Sequence, residues 1–249
     1  MTETAPESIC SLLEWDSNFF GRRIARLNRS RLDEASVARA LDWCSKENIE
    51  CLYFLGDADD AATARLAEKT SFLQTDVRLT LEHSLAGTTV TAFDSSVRRA
   101  READLPALRA IAARNHHDSR FYFDHHFDPA LCDRFYETWI ENSFRGFAQA
   151  VLVADSAGQP AGYVTCHLRG AESQLGLLGV AEAHHGEGLG TKLVHAFLTW
   201  SRQQAATHAT VVTQGRNVRA QRLYQRNGFV SSSFPVSYTH LTLPTILRV

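Results

Sequence analysis

Glu182–Trp200 reads EAHHGEGLGTKLVHAFLTW, with glycines at 186, 188 and 190 running into Leu189, Leu193, Phe197 and Trp200 at helical spacing. Glycine permits positive φ and close backbone approach, so this stretch can turn several N–H groups toward one ligand where a helix begins. A helix N-terminus carries roughly half a positive charge, worth about 0.3–1 kcal/mol to an anion, and a pyrophosphate fits there without a lysine cluster. The same glycines also suit a tight strand-to-helix turn that holds nothing. Two nucleotide motifs are set aside by spacing, because Leu189 and Thr191 stand where a dinucleotide fingerprint and a P-loop need other residues.

Upstream of the loop, FAQAVLVAD, AGYVTCHLR and LGLLGV read as three strands with short connections, which implies antiparallel pairing. Downstream come a strand, HATVVT, a helix, NVRAQRLYQRN, and Gly228 to end it before Phe229. Further back, VRRAREADLPALRAIA gives a short strand and a helix with Asp104 as N-cap and Pro106 in its first turn. Asp128 and Pro129 open a second helix through LCDRFYETWIENSF, closed by Gly146. Nearer the N-terminus, CLYFL, DADDAATARLAEKT and FLQTDVRLTLEH form a strand–helix–strand unit.

The polar stretch HSLAGTTVTAFDSS suits a connection, which places a boundary near Ser95 and divides the chain into 1–94, 95–235 and a tail, 236–249. Ala64–Leu79 aligns without gaps to Gln221–Val236, with Ala67 opposite Tyr224, and is read either as a duplication or as a generic helix-to-strand transition. The tail segment VSYTHLTLPT resembles a translated transposon adapter of the kind used in sequencing libraries. Its β-branched content can still take a strand slot, because propensity is indifferent to origin. It is set aside from functional reasoning.

The 249 residues, 44% of them hydrophobic, suffice for one large or two small cores, and a formal charge of −2 removes the basic field that nonspecific nucleic-acid or membrane binding needs. Cys10, Cys44, Cys51, Cys132 and Cys166 are odd in number and form no CxxC pair, so buried thiols are expected. MTETAPESICSLLEWD lacks a basic segment followed by an apolar core, and no apolar run approaches the roughly 20 residues of a membrane helix, so a cytoplasmic protein is expected.

The glycine spacing resembles the acyl-CoA loop of the GNAT acetyltransferase superfamily: His185, Gly188 and Gly190 fall on its pattern positions, although Gln or Arg is usual at the first. LLGV before the loop, ATVVT after it, and Asn217, Ala220, Leu223, Tyr224, Gly228 and Phe229 complete the match. The resemblance implies an α/β (α+β) GNAT fold with a mixed, mostly antiparallel sheet flanked by helices. It also implies a small N-terminal α/β domain like a partial GNAT unit.

Acetyl-CoA would lie between diverging strands that end at Val180 and Thr213, with pantetheine on the backbone of Leu178, Gly179 and Val180. Its phosphates would meet the loop from His185 through Gly186, Glu187, Gly188, Leu189, Gly190 and Thr191, with Asn217 on the pantetheine side. His185 and Lys192 are read as facing solvent. Tyr224 would be the general acid, since a phenol of pKa about 10 can protonate a thiolate of pKa near 8.5; a core tyrosine packed on the sheet is the plainer alternative.

WDSNFFG, DSRF and RFYETWIENSFRG resemble the TDP-fucosamine acetyltransferase group of the superfamily. That likeness implies acetylation of a nucleotide-linked amino sugar, TDP-4-amino-4,6-dideoxygalactose, used for surface polysaccharide, and a homodimer. A GNAT enzyme acting on a peptide, polyamine or small amine, and a noncatalytic acyl-CoA-binding module, remain alternatives. The segment NHHDSRFYFDHHFDP should line the acceptor site. Arg120, Phe121, Tyr122, Arg134, Tyr136 and Arg145 suit a nucleotide sugar through phosphate pairing and stacking, while Tyr136 and Trp139 suit a helix core equally well. No metal is expected, because His116–His117 and His125–His126 are adjacent pairs without i, i+4 spacing. His167, Glu172 and Glu137 border the cleft as candidate bases, each with a structural role as the plainer reading.

Overall fold

The computed structural model describes residues 8–87 and 92–241, of which 8–78 with 234–241 form one compact unit and the rest another. The first unit opens with β1 (Cys10–Leu12), α1 (Glu14–Phe20), β2 (Ile24–Leu27) and α2 (Glu34–Lys46). It continues through β3 (Cys51–Gly56), α3 (Ala61–Lys69) and the first half of β4 (Leu73–Ser84). The second unit takes the rest of β4, then β5 (Val97–Arg99), α4 (Leu105–Asn115), α5 (Arg120–Phe123) and α6 (Pro129–Asn142). A π turn, Ser143–Phe147, leads to β6 (Ala150–Ser156), β7 (Gln159–Arg169) and β8 (Glu172–Val180). Next come α7 (Leu189–Gln203), β9 (His208–Gln214), α8 (Val218–Arg226) and β10 (Val230–Ser233), and β11 (Val236–Leu241) belongs to the first unit again.

In the first unit the strand order is β1-β2-β3-β11-β4, with β2 and β3 parallel and the other pairs antiparallel. The crossover helix between the parallel strands is α2. It starts at Asp33, whose carboxylate accepts the Ser36 N–H at 2.6 Å while the Asp33 N–H donates to Ser36 Oγ at 3.0 Å. Val37, Ala40 and Cys44 form its buried stripe.

The second unit runs β4-β9-β8-β7-β6-β5, with β10 on the other side of β4. Among the described residues β8 and β9 pair in parallel, and α7 is their crossover. Leu193, Val194, Phe197 and Trp200 of α7 are buried with Leu152, Val164 and Leu175 of the sheet, as their helical spacing requires. The mixed, mostly antiparallel sheet flanked by helices agrees with the fold class expected. All five cysteines are buried and unbridged. No helix among the described residues is long and apolar enough to cross a membrane.

Two features differ from the sequence reading. The chain divides between residues 78 and 79, whereas the expected boundary lay near Ser95: β4 is one unbroken strand whose first half pairs β11 and whose second half pairs β10, and Leu85 after it donates its N–H to Thr207 O. Residues 88–91 of the expected connection lie outside the described residues. Asp104 stands at the N-cap position of α4, as expected, but its side chain makes no cap hydrogen bond: the carboxylate accepts the Arg101 N–H and pairs with Arg98 at 2.7 Å, so it closes the 3-10 turn ahead of the helix.

The sequence echo is also an echo of shape. Phe72 N–H bonds Ala67 O at 2.9 Å and Phe229 N–H bonds Tyr224 O at 3.1 Å, with Ser71 (φ 63) and Gly228 (φ 86) at matching positions. It extends to order: strand, crossover helix, parallel strand, helix, strand occurs as β2-α2-β3-α3-β4 and as β8-α7-β9-α8-β10, each with one more strand seated inside, β11 in the first and β4 in the second.

The adapter-like tail thus enters the structure as far as Leu241, as β11 in continuous register with β3; residues 242–249 lie outside the described residues. Tyr238 stacks on Phe54 at 5.6 Å, yet Thr239 Oγ1 and His240 Nδ1 are buried with no hydrogen-bond partner. An unpaired buried hydroxyl costs about 1–3 kcal/mol, and replacing it with a methyl of the same shape removes that cost. Thr239→Val is therefore expected to raise stability by about 1 kcal/mol in a urea titration, with no change in the m-value.

Candidate functional site

The second unit contains a split in its sheet. β8 and β9 pair from Glu172↔His208 to Leu175↔Val211 and then part, although β8 runs on to Val180 and β9 to Gln214. The cause lies on the other edge of β8. Between the rungs Val164↔Leu178 and Cys166↔Leu175, two steps along β7 match three along β8, which is a β-bulge at Gly176–Leu177. Buried Thr165 accepts the Leu177 N–H on its Oγ1 at 2.7 Å and so satisfies the amide that the bulge displaces.

Ladder alternation decides which backbone groups face the split. Ala181 N–H bonds Ala161 O, so Gly179 is the next residue of β8 to pair with β7, while Leu178 and Val180 point the opposite way. The Val180 N–H is taken by Asn115 Oδ1 at 3.1 Å, and its carbonyl accepts from His185 Nε2 at 3.0 Å. Of the three strand residues expected to meet pantetheine, then, Leu178 keeps that orientation, Gly179 faces β7, and both polar groups of Val180 are engaged by side chains. His185, expected in solvent, is exposed but turns its ring nitrogen back to the strand.

Beyond the split, α7 begins without a side-chain cap at Gly188, which is in the left-handed region at φ 78; Gly186 has φ 90. The first intrahelical bond is Lys192 N–H to Gly188 O, which leaves the amides of Gly188, Leu189, Gly190 and Thr191 without helical acceptors. Among the described residues no side chain caps them. Glu187 is held by His184 at 3.1 Å, and Lys192, partly in solvent as expected, also reaches Asp94 at 3.4 Å and Ser96 at 3.3 Å. Asn217 caps α8, its Oδ1 accepting the Ala220 N–H at 3.0 Å. On the same helix Tyr224 is buried against Phe229, and burial lifts its phenol above the usual tyrosine range.

The acceptor residues fare differently. Phe121 is buried against Phe127 and Phe135, and Tyr136 stacks between His116 at 4.5 Å and Trp139 at 6.0 Å, so both belong to the aromatic core. Tyr122 donates its hydroxyl to Asp133 at 2.6 Å. Arg120 stacks over Phe121, and Arg134 is exposed on α6. Arg145 pairs with Glu102 and Glu141 beside a roughly 530 Å³ surface groove at the N-terminal end of α4, the opposite end of that helix from Asn115. It is not brought to the split.

The segment 115–129, expected to line the acceptor site, is tied to the end of β9 by a residue the sequence did not single out. Arg216, just after β9, lies 3.6 Å over the half-exposed ring of Phe123 and donates to Asp118 O, tying the α5 segment to the end of β9. His116 bonds the buried Tyr163 hydroxyl at 3.0 Å, and burial, with His117 adding to it, lowers its pKa to about 4, which keeps it neutral. The ligand atoms of Asp124, His125 and His126 lie within 4.8 Å of one another, a gathering that helical spacing did not foresee. Buried Asp124 spends its Oδ1 on the N–H and Nδ1 of His126, the latter at 2.6 Å.

Residues 106–229 match the Acetyltransferase (GNAT) family. The chain is 33% identical over 138 residues to the dTDP-fucosamine acetyltransferase of Escherichia coli O6:H1 (strain CFT073), which is 54% of this chain and 58% of that protein. It is 29% identical over 128 residues to the spore coat polysaccharide biosynthesis protein SpsD of Bacillus subtilis (strain 168), 51% of this chain and 44% of that one. The chain thus spans about half the length of these curated relatives. A GCN5-related N-acetyltransferase from Sphaerobacter thermophilus shares the fold at TM-score 0.67 and 13% identity, over 95% of this chain and 77% of that one. So does a tandem GNAT protein from the clavulanic acid biosynthesis pathway, at TM-score 0.58 and 17% identity over 89% and 76% of the chains.

Asn115 is the side chain that holds the end of β8 at the split, since it also donates to Ile111 O at 2.9 Å. Removing it leaves the Val180 N–H unpaired, and Asn115→Ala is expected to cost about 1–2 kcal/mol in chemical denaturation. Asn115→Asp, which keeps the acceptor, should cost less.

Proposed function

Starting from residues 106–229 as a GNAT acetyltransferase domain, we propose that the protein moves acetyl from acetyl-CoA to the amino group of a nucleotide-linked amino sugar, with TDP-4-amino-4,6-dideoxygalactose the first candidate. The observation that carries the reading is the pairing of two features in one unit: four uncapped amides at the start of α7 and a parallel ladder that opens after Leu175↔Val211. The amides suit a diphosphate, through hydrogen bonds and the helix dipole, and need no cation. The opening suits an extended amide-bearing arm that pairs with Leu178. The choice of a sugar acceptor rests on the names of the two curated relatives.

In this reading the amine attacks the thioester carbonyl directly and Tyr224 protonates the departing thiolate. Burial holds the phenol in its protonated form, and the same dry surroundings raise the basicity of the thiolate, so the two shifts run in parallel. Asn217 shapes the site as the cap of α8. Arg216 and Phe123 replace Phe121, Tyr136 and Arg145 as the groups best placed to meet the nucleotide sugar.

Release of CoA measured against a panel of TDP-amino sugars tests the substrate class. Turnover with a peptide or polyamine and with none of the sugars rejects it, and binding of acetyl-CoA without any turnover favours a noncatalytic module. Tyr224→Phe should lower kcat roughly a hundredfold at pH 7. Its melting temperature should stay unchanged, and an unaltered kcat from pH 7 to 9 refutes the acid role. Gly188→Ala places a side chain at φ 78 and is expected to weaken acetyl-CoA binding roughly tenfold, measured by calorimetry.

A further inference from the structure

The bulge that opens the sheet also makes room for a histidine. Tyr163, Thr165 and His167 share one face of β7. Across from them on β8 stands Gly176, the residue directly after the last β8–β9 rung. A Cβ on Gly176 would sit 2.5 Å from His167 Nε2 and 2.7 Å from Thr165 Oγ1, so only glycine leaves the imidazole its place over β8. Thr165 Oγ1 stands at a long 3.4 Å from that nitrogen. The exposed ring of Phe147 stands edge-on at 5.4 Å and leaves His167 half-buried.

Four other carboxylates and imidazoles near the sheet are engaged elsewhere. Glu172 lies at the closed end of the β8–β9 ladder, where it accepts the Thr210 hydroxyl at 2.9 Å, and Glu137 pairs with Arg109 at 3.0 Å. His116 is bonded to Tyr163, and His185 to Val180.

We propose that His167 is the general base of the acetyl transfer, receiving a proton from the ammonium group of the acceptor beside Gly176, directly or through one water. The inference rests on the acetyl-transfer reading above but not on the acceptor being a sugar. The imidazole takes one proton from R–NH3⁺ and later passes it to solvent. The freed lone pair forms the C–N bond to the acetyl carbon, the C–S pair leaves as thiolate, and the thiolate takes the phenolic proton of Tyr224. The second nitrogen proton of the adduct returns to the phenolate, for a net R–NH3⁺ + CH3CO–SCoA → R–NHCOCH3 + HSCoA + H⁺.

The surroundings favour the neutral base. Burial, and then the charge of Arg169, lower the pKa of His167 below the usual histidine value, against a backbone hydrogen bond at Phe147 that raises it. The facing groups are Gln174 on β8 and Gln149 before β6, both neutral. Glu172 stands opposite Arg169, and Arg145 in the π turn is paired with Glu102 and Glu141. A base with a lowered pKa is ready at neutral pH and is lost as acidity protonates it.

The test compares the wild type with His167→Gln and Gly176→Ala, using whichever primary amine the wild type acetylates. Each variant should lose roughly a hundredfold in kcat/KM for the amine at pH 7, with the deficit shrinking toward pH 9 as solvent deprotonates the acceptor. Added imidazole should rescue His167→Gln, and the acetyl-CoA Kd and melting temperature of that variant should match the wild type. In the free wild type, the imidazole NMR signal absent from His167→Gln should titrate below the ordinary histidine range. A pH-independent deficit, a rate within twofold of wild type, or a signal titrating above pH 7 overturns the proposal. Failure of every sugar in the panel rejects the acceptor class alone.

Discussion

One hydrogen bond, Leu177 N–H to Thr165 Oγ1 inside the sheet, makes the rest of the second unit intelligible. A bulge without that acceptor would bury an unpaired amide, at a cost of the same order as a sizeable fraction of a domain's stability. With it, β8 carries one extra residue, its end swings off β9, and the backbone of Leu178 and Val180 is turned toward an opening and not a neighbouring strand. Asn115 and His185 then hold the Val180 groups, so the opened edge is neither a free template for pairing nor a row of orphans.

The chain contains the same parallel crossover twice, and the comparison separates folding from function. In the first, α2 starts at Asp33 and Ser36, which satisfy each other's backbone amides, and the position matching Tyr224 is the buried Ala67. In the second, α7 starts at a left-handed glycine that offers no side chain, and Tyr224 is present. Both arrangements fold, so the bare N-terminus of α7 is not a requirement of the architecture. It withholds the few tenths to 2 kcal/mol that a cap contributes and leaves its amides for another acceptor.

Much of this was legible in sequence because it is local. The alternation of β6 to β8, the stripe of α7, the cap at Asp128 and the glycine spacing each depend on residues a few positions apart. The capping box of α2 and its Val37, Ala40 and Cys44 stripe were equally local signals that went unread. What sequence did not yield depends on partners far along the chain: Asn115 to Val180, Lys192 to Asp94, Arg216 to Phe123 and the continuity of β4. Aromatic content misled for the same reason, since RFYF places Phe121 in the core and Phe123 half in solvent, and only packing distinguishes them.

Unsatisfied groups occur in both units, and their surroundings tell them apart. The amides at the start of α7 open at the surface, where Gly188 and Thr191 are exposed, Gly190 is half-buried and Leu189 is buried. Thr239 Oγ1 is enclosed between β3 and β4 with no hydrogen-bond partner. The first kind costs little. The second kind is what a strand slot acquires when its occupant fits the backbone register and the Tyr238–Phe54 stack but not the polarity of the site.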